Sequence, residues 1–121
     1  MIKHGDPPYL ECSSRGDKRL SAFYARIKSL DNKTIEEIFQ AAKVLEDGST
    51  GNPISVAKGQ RATNARECSV IYSKLWDLYI EENPDLLETL QGASGLSDIF
   101  GQAGHVCQAT ELWRIRNSGP F

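Results

Sequence analysis

Apolar positions along the chain recur in two rhythms. From Thr34 to Leu45, the residues Ile35, Ile38, Phe39, Ala42 and Leu45 return every three or four positions, the repeat that lines one face of an α-helix. Thr34 with Glu37 three residues later forms a capping box. The hydroxyl accepts from an orphan N–H of the first turn, and the carboxylate reaches back to the cap. Gly48 stops the run, so a helix is expected over about 34–46. A second helical pattern runs from Asn64 to about Glu82, with Cys68, Ile71, Leu75, Leu78 and Tyr79 inward, Trp76 beside them, and Asn64 with Glu67 as its cap. Asn83-Pro84 restarts the chain as cap and first helical residue; Leu86, Leu87 and Leu90 face inward and Gly92 ends that helix. A last helix, over about 106–116, carries Leu112, Trp113 and Ile115. Gly48 to Thr63 reads as a loop with a helical turn at Ile54 to Lys58.

The other rhythm is alternation. Leu20 to Ile27 roughly alternates and carries Phe23 and Tyr24, which predicts a short strand. Tyr9 to Cys12 is a shorter extended stretch among turns at Pro7-Pro8 and Ser13 to Gly16, and Gly95 to Gly104 reads as a glycine-bearing loop. The expected fold is one compact domain over 1–121, mainly α (α+β at most), with about four helices and one or two short strands near the N-terminus.

Composition acts mostly by exclusion. A chain of 121 residues, 40% apolar and 25% charged, has the balance of one ordinary globular domain. No run of apolar residues is long enough to span a bilayer, so no membrane partner is expected. The net charge of −2 disfavours nonspecific binding to nucleic acid. Cys12, Cys68 and Cys107 are odd in number and far apart, and Met1 to Pro8 lacks the apolar core of a signal peptide. The expectation is reduced thiols in a cytoplasm. With His4 and His105 as the only histidines, a convergent set of four ligands does not arise, and neither a metal nor a cofactor is expected.

Three features can carry chemistry. On the outward face of the first helix, Glu36, Gln40 and Lys43 fall within about 60° of one another, because four and seven residues return nearly to the start. This stripe, edged by Phe39 and Ala42, is either an ordinary solvated face or one wall of a site, and spacing leaves both open. Lys58 and Arg61 flank Gly59, which makes either a phosphate cradle or a solvated basic turn. Asp98 and Phe100, between glycines, read either as a ribose-holding carboxylate with a ring to stack on a base, or as turn formers. Arg15-Gly16-Asp17 reads as a turn, and no phosphate-binding glycine motif or Ser/His/Asp set is present.

Taken in order, these pieces resemble the NADAR (YbiA-like) family. Arg19-Leu20-Ser21-Ala22-Phe23-Tyr24 is similar to the family's R-F-L-S-N-F-Y, and Thr34 to Lys43 to its S-V-E-H-x-Y-Q-A-x-K, with Glu36, Gln40, Ala41 and Lys43 in register. Ala57 to Arg61 resembles A-K-x-x-G-R, Asn83 to Leu87 resembles N-P-x-L-x-x-x-L, Asp98 to Gly101 falls where the family has D-x-x-W-G, and Leu112 to Arg116 resembles L-M-x-I-R. The likeness runs in order over about 19–116. It implies a small, mainly helical N-glycosidase that removes ADP-ribose from guanine or splits a ribosylated pyrimidine. By the same resemblance, Glu36 and Lys43 are the catalytic candidates, Lys43 capturing the ribose as a Schiff base and Glu36 moving protons. Asp98 would hold the ribose, Lys58 and Arg61 would lie near phosphate, and Arg19, Tyr24, Gln40 and Phe100 would be further substrate contacts. The chain has Ala22 where the family has Asn, Phe100 where it has Trp, and no Asn near Val106. Lost amides mean lost ligand hydrogen bonds, so a nucleotide-binding module that sequesters its ligand without turnover is the alternative.

Overall fold

The longest helix organises the rest. In the computed structural model, which describes residues 1–120, α3 (Ala65–Glu82) buries Cys68, Tyr72, Leu75, Trp76, Tyr79 and Ile80. This stripe is turned from the expected one: Tyr72 and Ile80 are buried, while Ile71 and Leu78 are half-buried. Its aromatics form an edge-to-face series, with Tyr72 at 6.4 Å from Trp76 and Trp76 at 5.6 Å from Tyr79, a geometry that suits the ring quadrupoles. Around Trp76, which has no exposed surface, one continuous core gathers Leu20, Ile27, Ile35, Leu86, Leu90, Leu96, Leu112 and Ile115.

Helix α1 (Ile35–Ala42) begins as its capping box requires, with the Glu37 amide donating to Thr34 Oγ1 and the Thr34 amide donating to Glu37 Oε1, both at 3.1 Å. It ends earlier than the apolar repeat suggests, at Ala42 rather than 46, and Lys43 is already extended. The cause lies far along the chain. Asn64 was expected to cap α3; instead its side chain donates to Ala42 O at 3.0 Å and accepts from Val44 N at 2.9 Å. Thr63 adds a backbone bond to Val44 O at 2.8 Å. Those partners replace the next helical turn.

Helix α2 (Ile54–Ala57) is the expected turn, α4 (Pro84–Gln91) starts on proline, and α5 (Gln108–Ser118) begins two residues later than expected. Leu20 to Ile27 is not a strand. After a 3-10 turn at Lys18–Leu20, Tyr24 N and Ala25 N both bond Ser21 O, so the chain coils, with Ser21, Ala22 and Ala25 buried and Phe23 and Tyr24 outward. Only β3 (Arg26–Ile27) is extended, paired with β4 (Lys33–Thr34).

The larger correction is a three-stranded sheet. Its strands are β1 (Ile2–Gly5), β2 (Tyr9–Glu11) and, between them, β5 (Gly95–Asp98), a segment that reads as loop. β1 runs antiparallel to β5 and β2 parallel to it. Helix still outweighs strand, and the architecture is α+β. Among the described residues, no helix is long and apolar enough to cross a membrane.

Gly95 sits where both neighbouring strands approach the central one. A Cβ there would press on Asp6 O and lie 2.7 Å from Tyr9 Cδ1 and 2.9 Å from His4 O. Gly95→Ala is expected to destabilise the fold by about 1–3 kcal/mol through overpacking, read as a lowered denaturation midpoint. An unchanged midpoint would mean that the sheet relaxes freely around this residue.

Candidate active site

The polar stripe of α1 does not face water. Because Phe39 packs edge-on against Tyr72 at 5.1 Å, the adjoining face of the helix turns into the molecule: Glu36 is 8% exposed, Gln40 4% and Lys43 9%. Glu36 and Gln40 line a cleft of about 340 Å³ between α1, the coil around Ser21, the end of β5 and the start of α5. The outward face expected from the sequence is therefore a wall of a hollow.

Within the cleft the two carboxylates differ in what remains free. Asp98, 5% exposed at the end of β5, accepts from Phe100 N at 2.9 Å on Oδ1, and from Gln108 Nε2 at 3.1 Å and Cys107 Sγ at 3.8 Å on Oδ2. Both its oxygens are occupied. Glu36 is engaged only through Oε1, by Gln40 Nε2 at 2.8 Å, and among the described residues its Oε2 has no donor. Two further polar atoms on the cleft wall are fully buried and unpaired, Ser21 Oγ and Gln40 Oε1. An unmet buried polar atom costs about 1–3 kcal/mol, so these residues leave the cleft wall with hydrogen-bonding capacity unsatisfied. Tyr72 closes the floor; burial pushes its phenol up, and it stays uncharged.

The mouth is aromatic and cationic. Phe23, Tyr24, Phe100, Ser14 and Lys58 surround an outer hollow, and all but Tyr24 also line the cleft. Each exposed ring carries a cation: Lys58 lies 5.0 Å from Phe23, Lys18 4.9 Å from Tyr24, and Arg15 5.9 Å from Phe100.

Lys43 stands apart from Glu36. Its ammonium donates to Ala57 O and Gln60 O, both at 3.2 Å, and sits 5.6 Å from the Phe39 ring. It lines a neighbouring hollow of about 510 Å³ together with Arg61, Gln60 and Cys68. Phe39, His105 and Val106 form the partition, since they line both hollows. Lys43 is the C-cap of α1 and still springs from the end of the helix, and the carbonyls of Ala57 and Gln60 hold its ammonium in this second hollow. The cleft thus collects Glu36, Gln40, Asp98, Phe100 and Lys58 of the expected residues, Tyr24 joins at the mouth, and Lys43 and Arg61 lie next door. Arg19 is elsewhere, paired with Asp17 at 2.6 Å and reaching Asp85 at 3.9 Å.

Sequence reading passed over Ser21, Tyr72, His105, Cys107 and Gln108, all on the cleft wall. Ser21 stood inside the Arg19 to Tyr24 motif and was within reach. Gln108 carries no local signal, because its partners are 86 and 10 residues away. Among the described residues, no cluster of three or more His, Cys, Asp or Glu side chains is arranged to hold a metal ion. Neither a protein-family model nor a curated protein sequence matches the chain.

The wall at Asp98 is braced by Glu11. Its Oε1 accepts from Ser97 Oγ at 2.7 Å and its Oε2 from Ser13 N and Ile99 N, both at 3.1 Å. Burial raises this carboxyl, and the hydrogen bonds from Ser13, Ser97 and Ile99 outweigh it, leaving Glu11 below its ordinary value. A lowered folded-state value means that its stabilisation is complete above the ordinary value and disappears as pH falls through the folded one. Glu11→Gln should therefore cost about 1–3 kcal/mol at neutral pH, and the difference from wild type should shrink below pH 4.5, where the unfolded chain takes up the proton. Denaturant titrations across pH measure this; a gap that is constant down to pH 3 would contradict it.

Proposed function

We propose that the protein hydrolyses the N-glycosidic bond of a ribosylated nucleobase, free or carried on ADP-ribose, with Glu36 as the acid–base group. The observation that carries this reading is the free Oε2 of a buried carboxylate flanked by two unpaired polar atoms, Ser21 Oγ and Gln40 Oε1. Two acceptors and one hydroxyl suit a ligand rich in O–H and N–H donors, as a ribose and a base edge are. The exposed rings of Phe23 and Phe100 at the mouth suit a planar base. Lys58 at the rim, with Arg61 and Lys43 in the adjoining hollow, suits phosphate.

The chemistry follows from charge. As the C–N bond breaks, its electron pair leaves with the base nitrogen, and positive charge grows on the ribose ring. The carboxylates of Glu36 and Asp98 stabilise that charge in a partly dry site. Glu36 Oε2 takes the proton of the attacking water, whose oxygen bonds to the anomeric carbon, and a proton returns to the departing base. An imine on Lys43 would require its amine to leave Ala57 O and Gln60 O and pass Phe39, so direct attack by water is the simpler path. The second reading, binding without turnover, is favoured by Ala22. Its buried methyl offers a ligand nothing where the resembled pattern has an amide.

Incubation with ADP-ribosylated guanine oligonucleotides and with ribosylated nucleotides, followed by mass spectrometry, tests both. Turnover is expected, with Glu36→Gln lowering it by about 10²–10⁴-fold while circular dichroism and melting stay near wild type. Full activity of Glu36→Gln would remove Glu36 from the reaction. Tight binding with no product after long incubation would replace the enzyme by the sequestering module. Borohydride is expected to leave Lys43 unmodified; a reduced adduct there would move the nucleophile to Lys43.

A further inference from the structure

We propose that Gln108 is a positioning residue, whose amide sets the placement of the two buried carboxylates, Asp98 and Glu36, relative to each other. The two acids come from unconnected elements, one from the end of β5 and the other from the first turn of α1. The packing of Ile35 and Phe39 brings α1 toward the end of β5, and the hydrogen bonds along the cleft wall set the finer placement.

The link runs through one side chain and the backbone of one residue, Ala22, by its N–H and its carbonyl. Gln108 Nε2 donates to Asp98 Oδ2 at 3.1 Å, and Gln108 Oε1 accepts from Ala22 N at 2.7 Å. The Ala22 carbonyl in turn accepts from Glu36 N at 3.0 Å. Asp98 and Gln108 are thereby tied to the backbone of Ala22, and the same residue holds the first turn of α1 through the Glu36 amide. Gln108 is itself only 9% exposed.

Only an amide of this length satisfies both ends. A carboxylate partner needs a donor and a peptide N–H needs an acceptor, and Gln supplies one of each. Glu at this position would turn an acceptor toward Asp98, Met would offer neither group, and Asn is one methylene short of spanning both. The other oxygen of Asp98 is already held by Phe100 N, so Gln108 completes the orientation of that carboxylate. Ser21, whose hydroxyl is unpaired in the cleft, precedes the relay peptide directly, and any shift of Ala22 carries it along. A purely structural staple is not needed here: Ala109, Leu112 and Ile115, all without exposed surface, anchor α5 in the core.

The activity part of this proposal rests on the glycosidase reading, whereas the relay is measurable without substrate. Wild type and Gln108→Met are compared by amide hydrogen exchange, by the carboxyl carbon resonances of Asp98 and Glu36 at fixed pH, and by steady-state kinetics. In Gln108→Met, protection of the Ala22 amide is expected to fall about tenfold or more while that of Leu112 holds, the mark of a local opening. Both carboxyl resonances should move. Turnover should fall about 10–100-fold in kcat with KM little changed, the split expected when only the transition state feels the lost alignment. Unchanged Ala22 protection, or a resonance shift confined to Asp98, overturns the relay. If the wild type shows no turnover on any substrate, the glycosidase reading fails, and exchange and resonances alone decide the relay. Should Gln108→Met fail to fold, Gln108→Asn decides by the same readouts.

Discussion

The edge-on contact of Phe39 with Tyr72 determines which way the eight-residue helix α1 faces. With Ile35 and Phe39 committed to the core, the remaining turn of the helix brings Glu36 and Gln40 beneath the coil at Ser21 and against the end of β5. A helix lying on the surface would keep that stripe in water, where it would be worth a few tenths of a kcal/mol. Enclosed on both sides, the same residues become a buried carboxylate and a buried amide with an unpaired oxygen, both lining a hollow. The aromatic packing of α3 and the polar chemistry of the cleft are thus two faces of one arrangement.

Charge is distributed with the same logic. The interior of the cleft is rich in acceptors, Glu36, Asp98 and the Gln40 carbonyl, and the cations stand at the mouth or behind the Phe39 partition. Lys58 lies against the Phe23 ring, and Lys43 is held by two backbone carbonyls. None of them neutralises Glu36 or Asp98 through a direct ion pair among the described residues, so both acids keep their chemistry for what enters. Within the pair, both oxygens of Asp98 are held by neighbours, whereas Glu36 is engaged through one oxygen alone among the described residues.

Helices were the legible part. The capping box at Thr34 and Glu37, the proline start at Pro84 and the extent of α3 are local signals and appear in their expected places, although the buried stripe of α3 is turned toward Tyr72 and Ile80. What was lost was lost to distant partners. Asn64 gives its side chain to Ala42 and Val44 rather than to its own helix, which cuts α1 short, and the carbonyls of Ala57 and Gln60 hold the Lys43 ammonium. Gly95 to Asp98 has the composition of a loop and becomes a central strand because β1 and β2 approach it from both sides, and glycine lets them.

By itself, then, the amino-acid sequence determined the helical segments, the capping box of α1 and the spacing that put Glu36 and Gln40 on one stripe, since these depend on neighbours three or four residues apart, whereas Asn64 and Asn83 make no side-chain cap bond. Only the tertiary structure decided that the stripe is buried, that Asp98 ends a strand facing it, and that Lys43 lies in a separate hollow. Those outcomes depend on contacts between residues far apart along the chain, whose cost in chain entropy is recovered only when the whole core closes around Trp76.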